Sequence, residues 1–283
     1  ELKLLAEANH LDGEACMERL TRMYDGYHFN YRDMVGVYNP FSILNVLDTT
    51  MFDNFWFASG TPTFLVEILK KTDFDLRELD GIEVSAASLT DDRADINNPV
   101  PMIYQSGYLT IKEYDERFQI YTLGFPNEEV KYGFLNFVTP FYTPVRETDA
   151  SFYIGKFIHE LESGDPDAFL TRLRAFFAGI SYELNDRTER HYQTIFYLVF
   201  KLMGQFSEAE VRSAKGADAV VKTADYIYVF EFKLDGSAEQ ALAQIDDRGY
   251  LIPYTVDGRK LMKIGVNFDP KERNIGDWKI YCG

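Results

Sequence analysis

This sequence predicts an α/β fold, α+β overall: a mixed sheet flanked by helices, preceded by a mostly helical region. Three observations carry that reading. Residues 219–222 and 226–232 are two β-branched and aromatic runs separated only by Thr223-Ala224-Asp225, which is the pattern of a hairpin. Apolar residues recur at helical spacing on either side of that hairpin, as in Ile195, Leu198, Val199 and Leu202. The earlier part of the chain holds several helix-start signals and one change of period, at 104–123.

The bulk properties set bounds. A length of 283 residues suits one large domain or two ordinary ones, and 46% apolar residues allow a full core. No apolar run is long enough to span a bilayer, and no signal-peptide pattern opens the chain. The chain starts at Glu1 within a helical pattern, so a fragment of a longer protein is expected. Cys16 and Cys282 lie near opposite ends without metal-ligand spacing, which fits a reducing cytoplasm. The formal charge of −16 works against non-specific binding of nucleic acid, which depends on phosphate neutralisation, but a local basic groove can coexist with it.

Taken in order, residues 1–10 read as the end of a helix. Asp12 caps the next, to about Tyr24, with Met17, Leu20 and Met23 on its apolar side. Tyr24 to Phe29 form an aromatic turn with His28 on its rim. Asn39-Pro40 is a cap followed by proline at the first helical position, and Phe41, Leu44 and Leu47 form the expected stripe. Thr61-Pro62 repeats the device before Phe64, Leu65, Ile68 and Leu69. Residues 73–100 are polar and acidic, with Asp91, Asp92 and Asp95 close together but no calcium-loop spacing, and read as solvated surface. Residues 104–123 read as two strands around Asp115-Glu116. Helix, helix, hairpin resembles a winged helix-turn-helix, but the segment is poor in Arg and Lys, so packing is its expected role. Asn127 caps a further helix, with Glu128 and Glu129 in its first turn.

Residues 143–150 are the expected boundary, with helices at 152–161 and 168–180 beyond it. A long helix at 188–203 precedes a strand at 207–212, where Glu208 and Glu210 share a face. After the hairpin come a helix to about Arg248, a buried strand at 260–268 and an edge strand at 278–281. Gln240, Gln244 and Arg248 share one face of that last helix.

The chemistry concentrates where the second hairpin strand ends, at Glu231-Phe232-Lys233. Alternation puts Glu231 and Lys233 on one face, roughly 7 Å apart, and the hairpin brings Asp218 beside Glu231. Charges closing a buried strand are costly unless paired or bound to an ion. Two carboxylates are hard oxygen ligands suited to Mg²⁺ or Mn²⁺, and a nearby lysine can orient a water or counter a phosphate. The spacing alone equally describes a hairpin rim bearing a Glu–Lys pair.

Asp218…Glu231-Phe232-Lys233 resembles the signature of the PD-(D/E)xK nuclease superfamily. With Tyr228 to Asp235, Ala241 to Ile245, Gly249-Tyr250 and Gly265-Val266-Asn267-Phe268, it resembles the nuclease-like domain at the C-terminus of bacterial AAA-ATPase-like proteins. Earlier stretches resemble the C-terminal part of the ATPase-like region of the same family: Met23 to Tyr27, Val37 to Ser42, Ser59 to Leu65, Tyr104 to Thr110 and Phe125 to Val130. The resemblance implies residues 1–142 as a helical lid with a winged-helix-like hairpin, and 150–283 as a restriction-endonuclease-like core. It implies Asp218 and Glu231 as Mg²⁺ ligands with the Phe232 carbonyl as a third, and Lys233 as the group that positions or activates water. It further implies Gln244 as a substrate- or water-orienting residue and Glu189 as a glutamate completing the site, with Glu189 as a simple helix-start acid the open alternative. His191 is an alternative on the same helix, and Tyr250 lies further along than the common spacing. Ala217 stands where the family usually has arginine. The implied function is metal-dependent hydrolysis of nucleic acid, or else an idle nuclease fold serving the ATPase. No phosphate-binding Gly-x4-Gly-Lys-[Ser/Thr] occurs, so ATP is expected only in a part outside this sequence. The resemblance also allows homo-oligomerisation through the ATPase region, in the cytoplasm and away from membrane.

Overall fold

The computed structural model describes residues 1–32, 34–59, 63–72, 74–90, 98–143, 147–179, 189–204, 208–211, 218–234 and 236–282, with the backbone alone at 58–59, 63, 70, 90, 147–151, 189–191 and 208–211. The protein has a mixed α/β fold, and its chain divides into two compact units, Glu1–Phe137 and Val138–Gly283.

The first unit opens with α1 (Leu2–Ala8) and α2 (Gly13–Tyr24), and the Asp12 carboxylate accepts from Ala15 N at 2.8 Å as the expected cap. The buried face of α2 is Cys16, Leu20 and Tyr24, spaced by four, whereas the expected Met17 is 41% exposed. In α3 (Pro40–Thr49) Asn39 caps as expected, but of the expected stripe only Leu47 packs on the core: Phe41 and Leu44 are 50% and 68% exposed, and Ser42 and Val46 are buried, with Ile43 and Leu47 packed beside Val46. The buried face joins the apolar set Ile43, Val46 and Leu47 to Ser42, whose Oγ donates to the buried carboxylate of Glu129.

Helix α4 (Thr63–Lys71) follows. Residues 73–100 are not simply solvated surface. Their described part contains a 3₁₀ turn at Leu76–Glu78, strand β1 (Ile82–Ser85) and α5 (Ala86–Thr90), with Leu76 and Leu79 fully buried; Asp91, Asp92 and Asp95 fall outside the described residues. After α6 (Val100–Gln105) the expected hairpin forms from β2 (Thr110–Asp115) and β3 (Ile120–Gly124), and β1 pairs antiparallel with β3 to make a three-stranded sheet in the order β1-β3-β2. Helix α7 (Glu128–Tyr142) begins in this unit and continues beyond its last residue, Phe137. His28 sits in the aromatic turn as read, its Nδ1 2.9 Å from the Ile111 carbonyl oxygen.

In the second unit, α8 (Glu147–Glu162) begins inside the stretch expected as a boundary. Helices α9 (Pro166–Ala178) and α10 (Glu189–Met203) follow. The sheet is β4 (Glu208–Val211), β5 (Ala219–Lys222), β6 (Tyr226–Leu234), β7 (Lys260–Asp269) and β8 (Asn274–Cys282), side by side in that order. Every neighbouring pair is antiparallel except β6–β7. A parallel pair needs a crossover, and α11 (Ala238–Asp247) lies in it.

Strand β6 is the centre of this unit because it is apolar on both faces. Phe230 and Phe232 face α9 and α10, with ring centroids 5.6 Å from Phe169, 5.2 Å from Phe200 and 4.2 Å from Phe196. Ile227 and Val229 face the other way, into a cluster with Val220, Ile245 and Tyr254. Glu231 and Lys233 continue that second face, the one that α11 covers. Among the described residues no helix is long and apolar enough to cross a membrane.

Candidate active site

The hairpin delivers Asp218 to Glu231. The β5–β6 register pairs Ala219 with Phe230, so Asp218 stands one step beyond the last ladder pair, next to Glu231. Its Oδ2 accepts the Phe232 amide at 2.8 Å, which fixes the carboxylate at the end of the strand.

Glu231 is 2% exposed. Its Oε1 accepts from the Gln244 side-chain amide and lies 3.5 Å from Lys233 Nζ, and Lys233 Nζ also donates to Gln244 Oε1. Glutamate, lysine and glutamine thus close a three-membered ring of hydrogen bonds between β6 and α11. The other oxygen, Oε2, is buried and has no hydrogen-bond partner among the described residues. Burial first, and then the neighbouring Asp218 charge, pushes the Glu231 carboxyl up to about 7, and Lys233 pulls it part of the way back. Lys233 keeps 29% of its side chain in solvent, so the ring opens to the outside through its ammonium.

Gln244 reaches this ring because α11 lies very close to the sheet. Gly265 on β7 is the register partner of Glu231. A Cβ there would run into the carbonyl oxygen of Ala238 and stand 2.8 Å from Leu242 N. The buried face of α11 is itself thin, made of Ala238, Ala241 and Ile245. Ser237 caps the helix with Gln240 in a reciprocal capping box. Ion pairs from Lys263 to Asp246 and from Lys279 to Glu239 add to its anchorage on β7 and β8.

The structure therefore brings Asp218, Glu231, Lys233 and Gln244 together. Gln240 serves the helix cap, Arg248 is exposed at the helix end, and Tyr250 packs in the apolar cluster beside Ile245 and Tyr254. Helix α10 runs antiparallel to β6, with Tyr192 against Phe268, Phe196 against Phe232 and Phe200 against Phe230. Its first turn, which contains Glu189, accordingly starts at the end of the sheet where Lys233 and Leu234 lie. The side chains of Glu189, His191, Glu208 and Glu210, and the whole of Ala217, lie outside the described residues. Sequence reasoning missed Gly265; the signal for it was a lone glycine inside a strand pattern, which marks a close approach of another backbone.

Among the described residues no group of three or more His, Cys, Asp or Glu side chains gathers, so the oxygen donors here are two carboxylates. They suit a hard divalent cation such as Mg²⁺ or Mn²⁺, and the unsatisfied buried Oε2 of Glu231 is the kind of atom that such an ion would complete.

Residues 187–278 match the PD-(D/E)XK nuclease superfamily. The superfamily match starts just ahead of α10, ends within β8, and contains all four clustered side chains together with Gly265. It does not extend into residues 1–142, where an AAA-ATPase-like character is an expectation from sequence alone. A protein of Azotobacter chroococcum mcd 1, described as an uncharacterized protein in the vnfD 5′ region, is 30% identical over 273 residues, which is 91% of this chain and 51% of that protein. The chain thus spans about half the length of this relative. No solved structure matches.

Proposed function

We propose that the second unit is a metal-dependent nuclease that hydrolyses phosphodiester bonds in nucleic acid. The observation that carries this reading is Glu231: a carboxylate 2% exposed, with one oxygen unpartnered among the described residues, set beside Asp218 and within reach of a partly exposed lysine. A group of that kind costs stability in a purely structural hairpin, and ion binding gives it a purpose. Asp218 and Glu231 would hold Mg²⁺ or Mn²⁺, with the Phe232 carbonyl as a third ligand and Glu189 supplying a further acid from the start of α10. The ion, when bound, would polarise a phosphoryl oxygen and make a coordinated water more acidic. Lys233 would hold the attacking water or neutralise phosphate charge, and Gln244 would fix the lysine and one oxygen of Glu231 in place.

The matching test is cleavage of DNA and RNA by the full chain with Mn²⁺. Glu231→Ala abolishes metal-dependent cleavage on this reading, and persistent activity in that variant would sink it.

A second reading has its own support. The Glu231–Lys233–Gln244 ring satisfies three of the groups internally, the Ala217 position lacks a basic residue, and the chain carries a charge of −16. Those features fit a nuclease fold that serves as an idle binding or regulatory module. Calorimetric titration with Mn²⁺ separates the two: the active reading requires binding that Asp218→Asn weakens.

The first unit would be the C-terminal part of an AAA-ATPase-like region, in which case the ATP site and any oligomer contacts belong to sequence beyond this chain. The support for this is the set of sequence motifs in residues 23–130. The helix-and-hairpin arrangement would serve packing rather than DNA reading, because Glu83, Glu113, Asp115 and Glu116 line the cleft on that sheet.

A further inference from the structure

We propose that Gly265 is a positioning residue for the cation site: its bare Cα lets α11 settle on β7, which places Gln244 to hold Oε1 of Glu231 and leaves Oε2 turned to the cation. The inference rests on the metal-binding reading of the second unit. Three observations lead to it. Gly265 lies directly across from Glu231 in the parallel β6–β7 register. The backbone of α11 occupies the space that a side chain at 265 would need, at the Ala238 carbonyl and Leu242 N. Farther along the same helix, Gln244 donates to Glu231 and accepts from Lys233.

These facts form one chain of cause. A methyl group at 265 lifts the helix, because the atoms it meets are helix backbone and cannot rotate aside. A lifted helix withdraws the Gln244 amide. Without that amide, Glu231 loses the donor that holds Oε1, and Lys233 loses its acceptor and falls back on the carboxylate. The ammonium then competes with the cation for Glu231. Partners of this kind, behind the atoms that touch the ion, typically account for 10- to 100-fold in metal affinity.

The experiment is a double-mutant cycle on the full chain, with MnCl₂ as the probe, read by calorimetry and checked by Mn²⁺ electron paramagnetic resonance. Gly265→Ala and Gln244→Ala each weaken Mn²⁺ binding by about tenfold or more, and the double variant binds no more weakly than the worse single, because both act through one contact. Circular dichroism establishes that each variant is folded. If Gly265→Ala does not fold, Ala241→Val, which thickens the buried face of α11 from the helix side, takes its place in the cycle. Unchanged affinity in either single variant, or losses that multiply in the double, overturns the role of Gly265 and leaves the metal site standing. Absence of Mn²⁺ binding by the wild-type chain overturns the metal reading and this inference together.

Discussion

Replacing Glu231 with glutamine in the metal-free protein should stabilise it at alkaline pH. The reason is the raised carboxyl, displaced from 4.5 to about 7 by burial and by Asp218. An acid whose folded-state value lies above its unfolded value keeps a proton in the folded state that the unfolded state has already released. Folding is therefore favoured at low pH, and that advantage is lost as pH rises from about 4.5 through about 7. The full displacement, about 2.5 pH units, corresponds to about 3.5 kcal/mol at about 1.4 kcal/mol per unit. Between pH 5.0 and 8.5 about 2.5 kcal/mol of it is realised, since the unfolded carboxyl is already largely ionised at pH 5.0. Glutamine keeps an oxygen for the Gln244 amide and has no charge to bury. Equilibrium urea unfolding in EDTA, followed by circular dichroism at several pH values, measures the effect. The stability of the wild type should fall more steeply with pH than that of Glu231→Gln, by about 2.5 kcal/mol over this range. Parallel curves for the two proteins would refute the reasoning, because every other titrating group is common to both.

Three further outcomes are expected. Adding 1 mM MnCl₂ at pH 8.5 should raise the unfolding midpoint of the wild type and not that of Glu231→Gln, since a ligand bound only by the folded state stabilises it by mass action; equal shifts would place the ion elsewhere. Glu129→Ala should destabilise the first unit by about 3 kcal/mol or more, because the Ser42 hydroxyl and the Phe55 and Trp56 amides, at 2.7–3.0 Å from its oxygens, lose their acceptor inside the core. Glu129→Gln should cost less, and urea unfolding of both variants checks the order. Ser237→Ala should cost about 1 kcal/mol by removing the α11 cap and should leave Mn²⁺ affinity within a factor of two or so, since the anchoring contact at Gly265 is intact; calorimetry reads that ratio.

Much of the second unit was legible in the sequence because its signals are local. The ends of β5 and β6 follow from β-branched runs and a three-residue turn, and the shared face of Glu231 and Lys233 from strand alternation; in the first unit the caps at Asp12 and Asn39 follow from side-chain chemistry two or three residues away. The adjacency of Asp218 and Glu231 was legible too, because a tight hairpin leaves its register little freedom. What stayed hidden depends on parts of the chain far apart. The burial of Ser42 in α3 is matched by an acceptor on Glu129, 87 residues further along. The burial of Leu76 and Leu79 lies in a stretch whose charge suggests solvent, so composition points the wrong way there.

Sequence by itself determined which groups arrive at the end of β6: two acids and an ammonium, delivered by periodicity and a short turn. Only the tertiary structure decided what state they are in. Glu231 is deeply buried, it is clasped by Gln244 from α11, and its Oε2 has no partner among the described residues. The close approach of α11 to β7 needs the absence of a side chain at Gly265; a lone glycine in a strand pattern signals that some backbone comes near, but only the fold, through the crossover, decides that it is the backbone of α11.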